Sequence, residues 1–365
     1  MSWIVVFLGF CLLIMLHEAG HFVAAKATGM RVERYFLFFG PTIWSFKRGE
    51  TEYGVKSIPL GGYVKISGMN PEEELPPGEE HRAYYRQKVW KRIVVVAAGP
   101  AVNIVLALVL FFAIFRIGGL EDVTQSVGSI RSGTPAAKVL QPGDRIVAID
   151  GHRFAGLDNT ERLEKFGEQV ASHKCAGEQV QGCAAQTPVR LTIERGGRVR
   201  TLTVTPRYDE EAGRSLIGFS YGGEFVPIST AHAADKAIDS VWMVTSGTAS
   251  VFARIFEADK RKEISGIVGT SDIGHTAVDE GWRPALLLLA VVSLSLGLIN
   301  LLPILPLDGG HIFWAIIEKL RGGRPVSMRV MERASIVGFA LVAMLFFIGL
   351  SNDIGRLTGE GFTTR

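Results

Sequence analysis

The chain has 365 residues, 47% of them hydrophobic and 21% charged, with a mean hydropathy of +0.24. That is too apolar for an ordinary soluble protein and too charged for one buried wholly in lipid, so membrane spans joined to a soluble part are expected. A net charge of +3 is no basis for nucleic acid as a partner.

The first apolar run, Trp3–Ala27, is long enough for a bilayer, which takes about 20 helical residues. From Trp3 to Leu16 it has no charged residue, and it then reads His17-Glu18-Ala19-Gly20-His21 before Phe22-Val23-Ala24-Ala25. Four apart on a helix, His17 and His21 share a face and can fill two corners of a tetrahedral Zn²⁺ site. Glu18 stands beside them, where it can take a proton from a water that the metal acidifies. A surface helix with two histidines would also carry this pattern. Ionisable groups within a membrane-length segment are costly and usually functional, which favours the metal. Transmembrane helix 1–27 is expected to be retained, because no Lys or Arg precedes it, no small-residue cleavage site ends it, and the motif lies inside it.

Residues 28–92 read as a β-rich region, cytoplasmic or re-entrant, with an amphipathic lead-in to the next span. Glu52–Ile66 is rich in β-branched and aromatic residues broken by glycines, which predicts short strands and turns. Beside two spans this sheet is expected to dip towards the site, which is tolerable if it is buried in protein or lines a wet cavity. Gly61, Gly62 and Tyr63 are candidates for holding an extended substrate by edge pairing. Gly68–Glu80, with Glu72-Glu73-Glu74 and Pro76-Pro77, reads as an acidic loop over the site. Arg82–Arg92, basic with Tyr84, Tyr85 and Trp90, suits the lipid interface. The second span, 93–117, includes Ala97-Ala98-Gly99-Pro100-Ala101-Val102-Asn103, whose small residues allow close helix approach. Asn103 is expected to bond to another helix.

In the segment that follows, Val127–Ala137 and Leu140–Gly151 predict a strand, a helix start, a Pro-Gly-Asp turn and a strand ending in Asp-Gly. Val189–Arg195 and Val199–Val204 alternate about Gly196-Gly197, a hairpin signal. Over 127–206 this segment resembles a PDZ domain, chiefly through Leu-Gln-Pro-Gly-Asp-Arg-Ile and the later Ile-Asp-Gly. Such a domain can bind a peptide by strand addition, or act as bulk that admits only shortened substrates; the residues leave both open. Cys175 and Cys183 can close a short loop in an oxidising compartment, while Cys11 reads as a small core residue. Residues 218–283 are expected to hold a strand and an amphipathic helix over Phe225–Glu257, with Ile264–Gly269 as a glycine-broken link.

The third span, 284–311, is interrupted at Asn300-Leu301-Leu302-Pro303-Ile304-Leu305-Pro306-Leu307-Asp308-Gly309-Gly310-His311. Two prolines stop the helical ladder, and Gly309-Gly310 is expected to make a sharp turn. A carboxylate at such a break needs a partner, and His17, His21 and Asp308 together make three protein ligands with a fourth position open. Neutral imidazoles, Zn²⁺, Asp308⁻ and Glu18⁻ sum to zero charge, which matters where uncompensated charge is expensive. Asp308 can instead cap the helix that follows it, and His311 is a rival third ligand. A cytoplasmic helix and loop (312–330), a fourth span (331–352) and a tail (353–365) complete the chain. Basic residues crowd the first connection and the one before the fourth span (Lys319, Arg321, Arg324, Arg329, Arg333), so the positive-inside rule places both termini outside.

Taken together, His17–His21, Pro59-Leu60-Gly61-Gly62-Tyr63-Val64, Ala98–Asn103, the PDZ turn, Asn300–His311 and the tail Asn352–Leu357 resemble the site-2 intramembrane zinc metalloproteases, in the bacterial regulator-of-sigma-E branch. The resemblance covers essentially the whole chain. It implies a multi-pass α-helical membrane protein with four transmembrane helices, a membrane-associated β-rich loop and an external α+β PDZ domain. It implies a Zn²⁺ endopeptidase in which Glu18 is the base and Asn300 helps hold substrate or oxyanion. The implied substrates are single-pass membrane proteins of anti-sigma-factor type, already cut by a periplasmic protease, or remnant signal peptides. The implied location is the bacterial inner membrane, with both termini and the PDZ domain periplasmic, and the implied role is an envelope-stress response. Two features depart from that branch: there is room for one PDZ domain where many members have two, and Pro306 sits one place late. A membrane scaffold with a structural metal and a zinc carrier are the rival readings; a scaffold has no need of Glu18, and a carrier calls for further polar residues lining a second route through the helices, which the sequence does not offer.

Overall fold

The uncharged run Trp3–Leu16 has few side chains able to compete for its backbone, and in lipid that backbone must satisfy itself. In the computed structural model it forms helix α1 (Ser2–Ala27). The structure describes residues 2–70, 73–75, 78–154, 156–254, 257 and 266–358. Two units are distinguished, Met1–Ile117 with Ser229–Arg365, and Gly118–Ile228. Pro76 and Pro77 and part of the acidic run before them lie outside the described residues, as do Ile264, Ser265 and the end of the tail.

After α1 the chain forms two long strands, β1 (Val32–Arg48) and β2 (Thr51–Ile66), where short strands are expected from the glycines. The reason lies in the register: both strands bend and pair twice. Tyr35 opposes both Val64 and Tyr53, and Tyr53 also opposes Phe46. Four strand segments joined by three ladders result, with 62–66 at one edge. Gly54 lies in the middle of this curl, where a Cβ would stand 2.6 Å from the Phe36 ring and from the Trp44 carbonyl. Met30, Val32, Ile66, Tyr84 and Val95 bury the base of the hairpin against α2 (Val89–Gly118). The lead-in Arg82–Arg92 is two short 3₁₀ turns, Glu80–Arg82 and Tyr84–Arg86, running directly into α2, so it is part of the helix entry rather than a separate surface helix. Pro100 sits inside α2 and has no N–H to give the Val96 carbonyl.

The second unit is a five-stranded antiparallel sheet in the order β6-β5-β4-β3-β9, with one helix and a small hairpin. Its strands are β3 (Leu120–Ile130), β4 (Arg145–Ile149), β5 (Val189–Arg195), β6 (Arg198–Val204), β7 (Arg207–Asp209), β8 (Arg214–Leu216) and β9 (Phe219–Val226), with α3 (Asn159–Ala171) between β4 and β5. Phe166, Val170, Ile146, Leu191 and Ile193 fill its core. The Pro142-Gly143-Asp144 turn is held by the buried Asp144. Burial alone would raise that carboxyl, but a bidentate Arg195 at 2.6 Å and the Gln141 N–H hold it below the usual carboxylate range. The makeup is that expected of a PDZ-like unit, with wider limits than 127–206, because β9 pairs along β3 from Leu120 to Ile130. This pairing corrects the helix expected from Phe225. Those residues are strand, and helix α4 (Thr230–Ala253) starts only after Pro227, capped by Ser229 on the His232 N–H at 3.2 Å.

Helix α5 (Ile267–Glu280) replaces the expected glycine-broken link. The buried Asp353 carboxylate accepts the N–H groups of Gly266 and Gly269 at 3.1 and 2.8 Å, and these caps make a helix start of an otherwise poor sequence. The chain continues with α6 (Trp282–Asn300), α7 (Asp308–Leu320) and α8 (Met328–Thr358). α1, α2, α6 and α8 are long and apolar enough to cross a membrane. Side chains such as Leu8, Val105, Leu287 and Phe339 stay exposed, as lipid-facing groups do. The protein is thus a multi-pass helical membrane protein with a β-rich loop and a PDZ-like unit.

Candidate metal centre

α1 carries His17 and His21 on its buried face, and α7 begins with Asp308 after the chain breaks at Leu301–Leu307. Three atoms meet there. His17 Nε2 is 3.2 Å and His21 Nε2 is 3.3 Å from Asp308 Oδ2, and the two Nε2 atoms are 3.3 Å apart. Bonds of about 2.0–2.1 Å from a tetrahedral zinc give ligand-to-ligand edges of about 3.3–3.4 Å. The triangle therefore has the size that this ion demands.

The tautomer also fits. His21 Nδ1 lies 2.9 Å from the Val95 carbonyl. A carbonyl only accepts, so Nδ1 carries the proton and Nε2 turns its lone pair to the centre of the triangle. Asp308 Oδ2 is buried with no hydrogen-bond donor. Buried lone pairs facing one another call for a cation, and a pair of imidazoles with a carboxylate suits zinc.

Close packing holds the three ligands together. A Cβ on Gly20 would come within 2.5 Å of the Ala98 carbonyl. A Cβ on Gly99 would overlap the His21 ring and stand 2.9 Å from His17 Nε2. α2 thus presses bare backbone onto the ligand rings. Gly309 and Gly310 do the same for Asp308. They are helical residues of α7, not the sharp turn expected from their sequence, and a Cβ on Gly310 would come within 2.5 Å of the Leu305 N, while one on Gly309 would overlap the Leu301 carbonyl. They are bare so that the break can wrap against the helix start. The N-cap of α7 is Leu307, so the Asp308 carboxylate is not spent on capping.

Glu18 points from the neighbouring face of α1 towards the hairpin. Its Cγ is 3.1 Å from where a Cβ on Gly62 would be, and the Val64 N–H faces its carboxylate. The edge segment 62–66 therefore runs alongside the metal-ligand helix. Gly61 adopts φ +129, and the Tyr63 ring stacks between Phe36 and Phe39 at 5.8 and 5.7 Å, with Lys56 Nζ 5.0 Å above it.

The description "Peptidase family M50" matches residues 5–345. The chain belongs to peptidase family M50. Similar proteins include the zinc metalloprotease Rip1 of Mycobacterium tuberculosis, 36% identical over 93% of this chain and 94% of that one. A putative zinc metalloprotease of Rhizobium meliloti is 30% identical over 95% of each chain. Among solved structures, the PDZ domain of an SdrC-like protein from Listeria monocytogenes is 22% identical, covering 28% of this chain and 90% of that one, with a TM-score of 0.21.

Other residues singled out from the sequence of this M50 chain fall as follows. Asn300 ends α6, and its Nδ2 donates to the Leu296 carbonyl at 3.0 Å, an anchor on its own helix. His311 lies in α7 but outside the ligand triangle, which among the described residues groups His17, His21 and Asp308. Asn103 bonds to another helix through its main chain and not through its side chain. Its side chain is fully buried and has no partner among the described residues, while its backbone carbonyl accepts from Ser293 Oγ of α6 at 2.9 Å. Cys175 and Cys183 form a disulfide in the PDZ-like unit, and Cys11 is free and buried. Sequence reading missed the Val95 carbonyl, which carries no side-chain signal. It also missed the ion pair of Arg92 and Glu318 at 2.5 Å, which ties α2 to α7; the signal for it is an acid late in an otherwise apolar helical stretch, Ile312–Glu318.

Proposed function

We propose that this M50 peptidase is an intramembrane zinc endopeptidase that cuts the membrane-spanning segments of single-pass proteins. The observation that carries the reading is the triangle of His17, His21 and Asp308 acceptor atoms, at 3.2 to 3.3 Å, on a helix fit to cross a membrane. His17, His21 and Asp308 hold the zinc, an ion that the names of the mycobacterial and rhizobial relatives also carry. Bound zinc supplies a Lewis acid that polarises the scissile carbonyl and acidifies a water.

The protein's own groups do the rest. Glu18 takes the water proton on its carboxylate and returns it to the leaving amine. A helical substrate hides its carbonyls in internal hydrogen bonds, so it must open locally to be cut. The 62–66 edge beside Glu18 suits an opened, extended segment, with Gly62 and Tyr63 along it and Gly61 at its entry. Asn300 has a second amide N–H and a carbonyl oxygen with which to hold the substrate or the developing oxyanion. Water reaches the site from the cytoplasmic side in this reading, with both termini and the PDZ-like unit in the periplasm of the inner membrane. The substrate class is the anti-sigma-factor type, shortened first by a periplasmic protease, with remnant signal peptides as a second class; release of the cytoplasmic part then starts an envelope-stress response.

Glu18→Gln in purified protein with a model single-pass substrate in lipid tests the assignment. The expected result is unchanged zinc content with cleavage reduced at least 100-fold. Unchanged cleavage overturns Glu18 as the base. An unmodified protein that holds zinc but cuts no membrane segment favours a scaffold with a structural metal.

A further inference from the structure

The cleft between α7 and α8 has a chemistry that proteolysis leaves unused. It measures about 360 Å³ and is walled by Pro303, Ile304 and Leu305 of the break, by Trp314 of α7, and by Arg333 and Val337 of α8. Arg333 is the one charged side chain among its lining residues. Val337 and Leu341 follow Arg333 at helical spacing on the same wall, so an apolar stripe descends from a cation at its top. Arg333 stands at the start of the apolar part of α8, which begins at Ala334, and so at headgroup depth.

The surrounding charge is unmatched. Lys319, Arg321, Arg324, Arg329 and Arg333 are all exposed, and among the described residues none of them enters an ion pair. On the hairpin side of the same unit Lys26, Lys65 and Arg82 are each paired with a carboxylate, while Lys47, Arg48, Arg86 and Lys88 enter no ion pair among the described residues, so what sets Arg333 apart is its place at the mouth of an apolar cleft. A cation over an apolar slot at a membrane surface suits a ligand with an anionic head and a hydrocarbon tail.

We propose that this cleft binds an anionic phospholipid, with the phosphate on Arg333 and an acyl chain along Val337 and Leu341 against Trp314. The opposite wall gives the site its consequence. Leu305 lies three residues before Asp308, and Gly338 packs so closely on the Leu305 carbonyl that a Cβ has no room. A lipid in the cleft braces the segment that delivers the third metal ligand.

The test uses the full-length protein in bilayers and needs no proteolytic activity. Trp314 is one of six tryptophans, so its emission is taken as the difference between the unmodified chain and Trp314→Phe. Phosphatidylglycerol with brominated chains, at a minor fraction in phosphatidylcholine, is expected to quench that emission at least twofold more than brominated phosphatidylcholine at the same fraction. Arg333→Gln is expected to remove the preference, and Arg321→Gln, with the same charge change off the cleft, to keep it. Val337→Phe, which fills the slot while retaining every cation, is expected to reduce quenching by both lipids. Equal quenching in the unmodified chain overturns the proposal, as does an equal loss in Arg321→Gln and Arg333→Gln, which would mean general surface charge. Elution as a monodisperse peak with unchanged helical circular dichroism establishes that each variant is folded.

Discussion

Gly99→Ala is the sharpest probe of the idea that α2 sets the ligand geometry by having nothing on its surface. A Cβ at this position would stand 2.9 Å from His17 Nε2 and 2.2 Å from His21 Nε2. Apolar contact is comfortable at about 3.5 Å, so the helices or rings must part by about 0.6 Å at His17 and about 1.3 Å at His21. A zinc site tolerates about 0.2 Å in its ligand distances. Tilting the His21 ring is no escape, because its Nδ1 is tied to the Val95 carbonyl at 2.9 Å, one turn away on the same helix as Gly99. The expected loss in zinc affinity is therefore at least 100-fold, about 3 kcal/mol. It is read by competition with chelators of graded affinity, on detergent-solubilised protein whose helical circular dichroism is unchanged. Gly247→Ala, whose Cβ meets open space on α4, is the matched control and should keep full affinity. If Gly99→Ala binds zinc within threefold of the unmodified protein, close packing of α2 does not hold the ligands and the reasoning fails.

Three further outcomes are expected. Glu318→Gln strands a nearly buried Arg92 guanidinium, costing about 3–5 kcal/mol and lowering the thermal midpoint; Arg92→Leu with Glu318→Leu should recover most of it. Asp353→Asn weakens the cap on α5, a loss of about 1–2 kcal/mol, seen as faster amide exchange at Gly266 and Gly269 with no change in the PDZ-like core. Hydrogen bonds from Arg82, and after it from Lys26, outweigh burial and hold the Glu50 carboxyl at about 2 in place of 4.5. A depressed carboxyl stabilises fully above its unfolded value and loses that stabilisation as pH falls from 4.5 towards 2. For a partly exposed pair this is on the order of 1–2 kcal/mol after screening. Glu50→Gln should therefore lower the thermal midpoint at neutral pH and match the unmodified protein near pH 2.

The meeting of His17, His21 and Asp308 is readable from sequence because it rests on covalent spacing and on cost. His17 and His21 are one turn apart wherever a helix forms, and an uncharged run in lipid has few other options. Asp308 is readable because a carboxylate at a proline break needs a partner, and the unfinished site at the other end of the chain supplies one. The hairpin is harder. Gly54 and Gly61 read as strand breakers, but in a sheet that curls and pairs twice they are where neighbouring groups press in or the backbone turns. α5 is illegible from its own residues, since the group that starts it, Asp353, comes from more than eighty positions away. The helix expected from Phe225 fails for a similar reason: an amphipathic pattern with aromatic residues fits either period, and pairing with β3 decides it.

Position and chemistry at this site are supplied by different kinds of residue. Between helices in lipid there is no hydrophobic drive to association, so close backbone packing largely sets where they rest. Gly20, Gly62, Gly99, Gly309 and Gly310 each lie where a Cβ would meet a neighbour at 3.1 Å or less, and each touches a metal ligand, the base or the backbone beside them. The consequence is separable. Under the proposed function, Glu18→Gln is expected to abolish cleavage with zinc retained, while one added methyl group at Gly99 is expected to weaken zinc binding with the Glu18 carboxylate intact. If both changes lost zinc to the same extent, Glu18 would belong to the ligand set, and the division between α1 as the source of chemistry and α2 as the source of position would be wrong.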